Sequence, residues 1–445
     1  MFWFDFAFDI QHVLNHYWWP INAALLIIAA IVGYLAYKKP AYAAGITIIL
    51  LPTYLFRSYI DFLPFTFLEV CIWVTFLGWL ASSIKKNGLH ATRLHSFGAT
   101  ASEATYRLPM LLILIASTAS LVIAPNFSAA AGLWKAYFIE PLLFFIVLLD
   151  VLREPKNRTI ILWSLGISTL SVSLLAIYQK FTAFGIFEPS WVGVEHRRVT
   201  AMFTSPNAVG LFLGPIVALY FGWIVSEFKN FKATALKMVV VALALIAICF
   251  TVSQGTWLGL VAATVFLLFF GWNKKWSGAL VMLGVLTILF IPQLRERAVP
   301  LLTLQDVSGQ NRLMLWSVAG EYLTGNIGNF LYGAGILGYA QIQDATRDPL
   351  IIEPLLYPHN IILNFWLEIG LLGLLAFGLV IVIFFKQGFG QLQSNKWLAL
   401  GTMAAMVTML VHGLIDVTYF KNDLAVLFWT MIAVPLTLKK IKRSN

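Results

Sequence analysis

Apolar runs of membrane-spanning length recur from one end of the chain to the other, broken by short polar or basic stretches. They fall near residues 18–36, 41–56, 64–84, 108–124, 130–151, 159–181, 206–226, 235–252, 255–272, 276–292, 360–385, 397–415 and 423–438. A bilayer core is crossed by roughly 20 apolar residues of helix, and in lipid the helix itself must satisfy the backbone polar groups. The pattern predicts an all-α, polytopic membrane protein of roughly 12–13 transmembrane helices. It reads as one integral membrane domain over 1–445. Two connections are long, 182–205 and 293–359. The second is the only one large enough to fold as a small subdomain outside the membrane.

Composition strengthens this picture. Of 445 residues, 60% are hydrophobic and 11% charged, where a soluble domain has about 25% charged. The net charge of +10 is unevenly placed. Loops with Lys38-Lys39, Lys85 to Arg107, Arg153 to Arg158, Lys229 to Lys237, Lys274-Lys275, Lys386 to Lys396 and the tail from Lys439 alternate with loops poor in Lys and Arg. By the positive-inside rule the basic loops face the cytoplasm, so the N-terminus and the 293–359 loop are expected outside and the C-terminal tail inside. The basic surplus is then a topology signal and an attraction to anionic lipid, with no nucleic-acid footprint. The N-terminal stretch carries Phe2, Trp3, Phe4, Phe6 and Phe8 and lacks the basic start of a signal peptide, so it reads as an interfacial segment. Cys71 and Cys249 lie in separate spans and suggest neither a disulfide nor a metal site. No strand is followed by a Gly-rich phosphate loop, which argues against a nucleotide-driven pump.

Polar residues inside or beside the spans carry the functional signal. Asn360, Asn364 and Glu368 recur every four residues and define one polar stripe on a helix, with His359 at its mouth. Such groups should face a protein interior or a wet cavity. His359 is a candidate general base; the same residues also suit a helix cap with interhelical hydrogen bonds. Arg197 and Arg198 precede Phe203 and Ser205-Pro206-Asn207, with Pro206 suited to a helix's first turn and Asn207 near its N-terminus. Lipid headgroups would serve the arginine pair equally. Ser308 to Arg312, ahead of Leu313, Leu315 and Trp316, looks like a turn entering a short amphipathic helix, where Arg312 could also be an interfacial anchor. Gly333, Gly335 and Gly338 suggest a tight turn with close backbone approach. Glu140 and Asp416 read best as structural partners of Lys135 and Lys421. Two arginines near one histidine suit a pyrophosphate leaving group beside a base, and the scarcity of carboxylates argues against a divalent metal.

The order and spacing of three blocks resemble the O-antigen ligase and O-antigen polymerase superfamily over about residues 50–435. The blocks are Arg198 with Phe203 and Pro206-Asn207, Ser308 to Trp316 with Arg312, and His359-Asn360 with Glu368, Gly370 and Gly373. Many members have Ser-Arg-Gly where this chain has Ser253-Gln254-Gly255. The resemblance implies metal-independent transfer of a glycan from an undecaprenyl-pyrophosphate carrier to an acceptor hydroxyl on lipid A-core, glycan or protein, at the outer face of the plasma membrane. It implies pyrophosphate contacts at Arg198 and Arg312, activation of the acceptor at His359, and no cofactor. Arg197, Asn207, Asn360 and Glu368 are possible supporting residues. Polymerase and ligase differ only in acceptor. A transporter for a lipid-linked glycan would also use polar stripes and basic residues, but with a site near the bilayer midplane.

Overall fold

The computed structural model describes residues 18–60, 63–87, 101–292, 295–296, 299–300, 303–346 and 355–438. The aromatic stretch 2–8, Arg93, Arg297, Arg347 and the basic tail from Lys439 lie outside the described residues. The helices are α1 (Trp18–Lys38), α2 (Pro40–Ile49), α3 (Phe67–Asn87), α4 (Arg107–Ile123), α5 (Phe127–Trp134), α6 (Glu140–Leu152), α7 (Pro155–Thr182), α8 (Pro206–Ser226), α9 (Phe231–Thr251), α10 (Gln254–Gly271), α11 (Lys274–Phe290), α12 (Val307–Gly325), α13 (Ile327–Tyr332), α14 (Gly338–Thr346), α15 (Ile361–Gly390), α16 (Leu392–Gly413) and α17 (Asn422–Leu436). Six of them, α3, α7, α8, α9, α10 and α15, are long and apolar enough to cross a membrane. The chain is an all-α polytopic membrane protein.

All thirteen apolar runs contain helix, with two departures. The run 41–56 is a ten-residue helix followed by a 3-10 turn at Leu51–Leu55 and a small antiparallel hairpin pairing Arg57 with Thr66 and Ile60 with Leu63. Ten residues rise only about 15 Å, half a bilayer core. The run 360–385 is interrupted at Ile369 and at Gly370 (φ +71°), so α15 consists of a short first half ending at Glu368 and a long second half. A φ of +71° with ψ near 180° is open to glycine almost alone.

The chain divides into two compact units. The first comprises 1–96, 143–209 and 243–252. Its helices meet through small and hydroxyl residues. The hydroxyls of Thr47 and Thr75 are 2.9 Å apart, and Ser168 donates to the Ile49 carbonyl at 3.2 Å. The second unit comprises 97–142, 210–242 and 253–445. Here α10 lies against α16 along Gly255 and Gly259, one turn apart. A Cβ at Gly259 would meet the Thr408 carbonyl oxygen at 2.9 Å, and one at Gly255 would collide with the His412 ring. Small residues at this spacing let two membrane helices approach backbone to backbone.

Some basic residues expected in loops are instead built into the protein. Lys237 is wholly buried: it pairs with Glu227 and lies 4.0 Å from the centroid of the Trp223 ring, while the Trp223 indole N–H donates to the same carboxylate at 3.0 Å. Lys396 donates to the Gly271 carbonyl at 2.7 Å, closing the end of α10.

Candidate functional site

The 303–346 segment builds one side of the site in the second unit. Asp306 caps α12, accepting from the Gly309 N–H at 3.2 Å. The helix runs for 19 residues and places Arg312 in its second turn, longer than the sequence reading and one turn further in. Leu315, Ala319 and Leu323, at i, i+4 and i+8, bury one face of α12 against Ala334, Tyr339 and Leu367. The Tyr339 hydroxyl donates to the Leu315 carbonyl at 3.1 Å. The Gly333–Leu337 turn then docks on the break in α15. Ala334 N–H donates to the Leu367 carbonyl at 2.7 Å and Leu337 N–H to Glu368 Oε2 at 3.0 Å. These bonds satisfy groups that the interrupted helix would otherwise orphan.

His359 sits just ahead of α15 with φ +50°, a left-handed conformation that costs a non-glycine residue about 1–2 kcal/mol. Its neighbours hold it there. The Trp316 indole donates to the Pro358 carbonyl at 2.9 Å. Asn360 caps α15 by accepting from Ile362 N–H (3.0 Å) and Leu363 N–H (3.1 Å), and its own amide donates to the Leu414 carbonyl at 3.0 Å. The decisive contact is His359 Nδ1 to Asp416 Oδ1, 3.0 Å, with the His359 side chain 28% exposed and Asp416 8%. Asp416 also accepts from Val417 N–H at 2.8 Å. Burial alone would raise the Asp416 carboxyl, but His359, His412 and Lys421 together hold it below the ordinary carboxylate range. An ionised Asp416 can only accept, so His359 presents Nδ1–H to it and turns Nε2 away from that bond.

Arg312 reaches the same loop. Its Nε–H donates to the Ile415 carbonyl at 2.8 Å, next to Asp416. Among the described residues that is its one hydrogen bond, so both terminal amino groups are available to an anion. Burial lowers the guanidinium's pKa, and the charges of Asp416 and Asp306 oppose that shift. The loop 414–417 thus gathers a base and a cation that are 47 residues apart in the chain.

Asn364 and Glu368, the rest of the polar stripe, are buried in the first half of α15. Among the described residues, both side-chain polar atoms of Asn364 and Glu368 Oε1 have no hydrogen-bond partner. Glu140 pairs with Lys135 at 3.7 Å, as the sequence suggests. Asp416 feels the charge of Lys421, as expected, and in addition shares a hydrogen bond with His359. An acid one residue past the apolar run 397–415 carries no sequence signal of that partnership. His412 was also missed; it is buried against Gly255, and among the described residues its Nδ1 has no partner.

Arg198, Arg197 and Asn207 belong to the first unit. Arg198 Nε–H donates to the Thr251 carbonyl at 2.9 Å and Nη2 approaches Asn207 Oδ1 at 3.4 Å. Its guanidinium lies 6.0 Å from the Trp191 ring centroid, and burial lowers its pKa. Asn207, at the N-terminus of α8, thus lies against the Arg198 guanidinium. Arg197 is turned to the backbone, donating to the Val192 carbonyl at 2.9 Å and the Lys180 carbonyl at 2.8 Å. Gln179 steadies the same loop, with Oε1 accepting from Thr200 and Ala201 and Nε2 donating to the Ala201 carbonyl.

No curated protein matches the chain. The family model described as O-antigen ligase matches residues 239–378, a stretch that includes Arg312, His359, Asn360, Asn364, Glu368 and Gly370 and stops short of Asp416. Over residues 239–378 the chain is thus similar to the O-antigen ligase family, which supports its resemblance to the O-antigen ligase/polymerase superfamily.

Proposed function

We propose that the protein is an inverting, metal-independent glycosyltransferase that moves a glycan from an undecaprenyl-pyrophosphate carrier to an acceptor hydroxyl at the outer face of the plasma membrane. The observation that carries this reading is the His359–Asp416 pair at 3.0 Å beside the Arg312 guanidinium, within or next to the O-antigen ligase match. His359 Nε2 takes the proton of the acceptor hydroxyl as its oxygen attacks the anomeric carbon. The bond from that carbon to the pyrophosphate oxygen breaks, and the electron pair leaves with undecaprenyl pyrophosphate. Inversion follows from a single displacement. Asp416 orients the ring and stabilises the imidazolium that forms. Arg312 stabilises the charge growing on the departing phosphate through its terminal amino groups. A pyrophosphate role for Arg198 is proposed on the resemblance of its block alone. A guanidinium can take the charge role that a divalent cation plays elsewhere, so transfer is expected to proceed in EDTA.

The test is transfer by full-length protein in membranes, using lipid-linked glycan accumulated in a strain deleted for this chain. His359→Gln keeps some hydrogen bonding but cannot cycle a proton, and should lose about 10²–10⁴ in rate at equal folded protein. Activity within a few-fold of the parent would mean that His359 only fixes a helix end. What the restored strain glycosylates, lipid A-core or a further lipid-linked repeat, separates ligase from polymerase.

A further inference from the structure

Arg312 and Trp316 stand one turn apart on α12, at the i, i+4 spacing that puts two side chains on one face. Each holds one of the two loops that meet in the His359–Asp416 pair. Arg312 Nε–H donates to the Ile415 carbonyl at 2.8 Å, and the Trp316 indole N–H donates to the Pro358 carbonyl at 2.9 Å. The loops are in turn joined to each other, by His359 Nδ1 on Asp416 Oδ1 and by the Asn360 amide on the Leu414 carbonyl, both at 3.0 Å. These bonds close a frame, with α12 on one side and the dyad on the other. Pro358 is buried, and among the described residues the Trp316 indole makes the one hydrogen bond to its carbonyl.

That carbonyl belongs to the peptide unit whose nitrogen is His359's own. A peptide unit is planar, so a bond that fixes the carbonyl also fixes the plane about which the His359 φ turns. His359 holds φ +50°, a conformation that a non-glycine residue keeps only under restraint. The Asn360 cap fixes the residue that follows, and the Trp316 bond is the restraint on the side that precedes. Without the indole, the Pro358 carbonyl becomes a buried acceptor lacking a donor, and rotation of the peptide would carry the imidazole off Asp416. We propose that Trp316 is a positioning residue for the transfer reaction. Through the Pro358 peptide it sets the orientation of His359, and through α12 it sets how far the base stands from a phosphate at Arg312. Trp316 thus acts through His359 and needs no contact with either substrate. The inference rests on the glycosyl-transfer reading above.

The experiment measures transfer by full-length protein in membranes, with lipid-linked glycan from the deletion strain as donor, and reads rate per folded protein. Trp316→Phe keeps an aromatic ring at a half-buried position and removes the N–H. Its saturated rate should fall about five- to tenfold, the worth of one ordinary hydrogen bond, with the half-saturating donor within about twofold of the parent. In a His359→Gln background, read over long incubation, the same change should cost less than about twofold, because Trp316 acts only through the base. Trp316→His returns a ring N–H and should recover to within about threefold of the parent, even where its melting temperature is lower. Trp366→Phe is the control: it removes an indole bond of the same kind, to the Phe330 carbonyl at 2.6 Å, and should leave the rate per folded protein unchanged. A full rate in Trp316→Phe, which is what a merely structural role gives, overturns the proposal. So does an equal loss in the His359→Gln background, no recovery in Trp316→His, or a rise in half-saturating donor at an unchanged saturated rate. Failure of the parent protein to transfer any glycan would instead remove the reading on which the role stands, and is distinguished because it appears before any variant is made.

Discussion

Asp416→Asn separates orientation from bulk chemistry at the candidate base. The substitution is nearly isosteric, but one oxygen, Oδ1, meets both Val417 N–H at 2.8 Å and His359 Nδ1 at 3.0 Å in the parent, so an amide that turns its NH2 to His359 gives up the Val417 bond. What changes is the tautomer. A carboxylate at 3.0 Å can only accept from His359 Nδ1. An amide can also donate to it, which moves the ring proton to Nε2 and removes the lone pair that the acceptor hydroxyl needs. Loss of the base in this way should lower transfer by about 10²–10⁴-fold, or about 3–5 kcal/mol of barrier. The assay is transfer from extracted lipid-linked glycan, normalised to folded protein by thermal unfolding in detergent. The double variant His359→Gln/Asp416→Asn should be no slower than His359→Gln alone, because the two groups act as one unit. Additive losses, or an Asp416→Asn rate within a few-fold of the parent, would refute the dyad. A pH series gives an independent check. The folded carboxyl is held below its ordinary value of 3.8, so its contribution to stability is complete above that value and is lost only as pH falls toward the lower folded value. The difference in melting temperature between parent and Asp416→Asn should accordingly shrink as pH falls below 3.8, and a difference that stayed unchanged far into acid would contradict the carboxylate assignment.

Other consequences are equally direct. Arg312→Lys and Arg198→Lys keep the charge but lose the planar fork, and transfer should fall at least about tenfold with normal protein levels, whereas Arg295→Lys, at an exposed position, should be silent; equal behaviour of all three would leave the phosphate argument without support. Arg197→Lys should lower thermal stability before activity, since its guanidinium is committed to two carbonyls. Gly370→Ala places a Cβ 2.6 Å from the Leu331 carbonyl at a φ of +71° and should reduce folded yield by an amount worth about 1–3 kcal/mol, read by thermal unfolding. With both cysteines replaced, Ser308→Cys should label with an impermeant thiol reagent in intact cells and Ser444→Cys should not; the opposite pattern would invert the proposed topology.

The helices were legible because lipid imposes one rule on every span, and an apolar run therefore announces itself. Where the run 41–56 stops short of a full helix, the cause is local: a proline at each of positions 40 and 52 brackets a ten-residue piece. The break at Gly370 was harder, since a lone glycine in a long apolar stretch is compatible with an unbroken helix; the docked turn Gly333–Leu337 that exploits it comes from a segment more than thirty residues away. The site divides in the same way. His359, Arg312 and Arg198 stood out as polar groups at costly positions. Asp416 did not, because an acid near a span end is ordinary until tertiary contact gives it a partner. Arg197 shows the converse: a charge suggestive in sequence that the fold uses on its own backbone.

The buried lysine near the α8–α9 turn has an implication for how the protein is made. During insertion a membrane protein is read segment by segment, and a lysine at position 237 counts as a positive charge retained on the side of synthesis. In the finished fold the same ammonium is enclosed by Glu227 and the Trp223 ring. The orientation signal is thus spent as the helices assemble, and one residue serves two stages in time. Neutralising it would strike biogenesis and the mature protein separately: Lys237→Met could be rescued in orientation by a new lysine elsewhere in the 227–232 turn, while Glu227 would still be left without its partner.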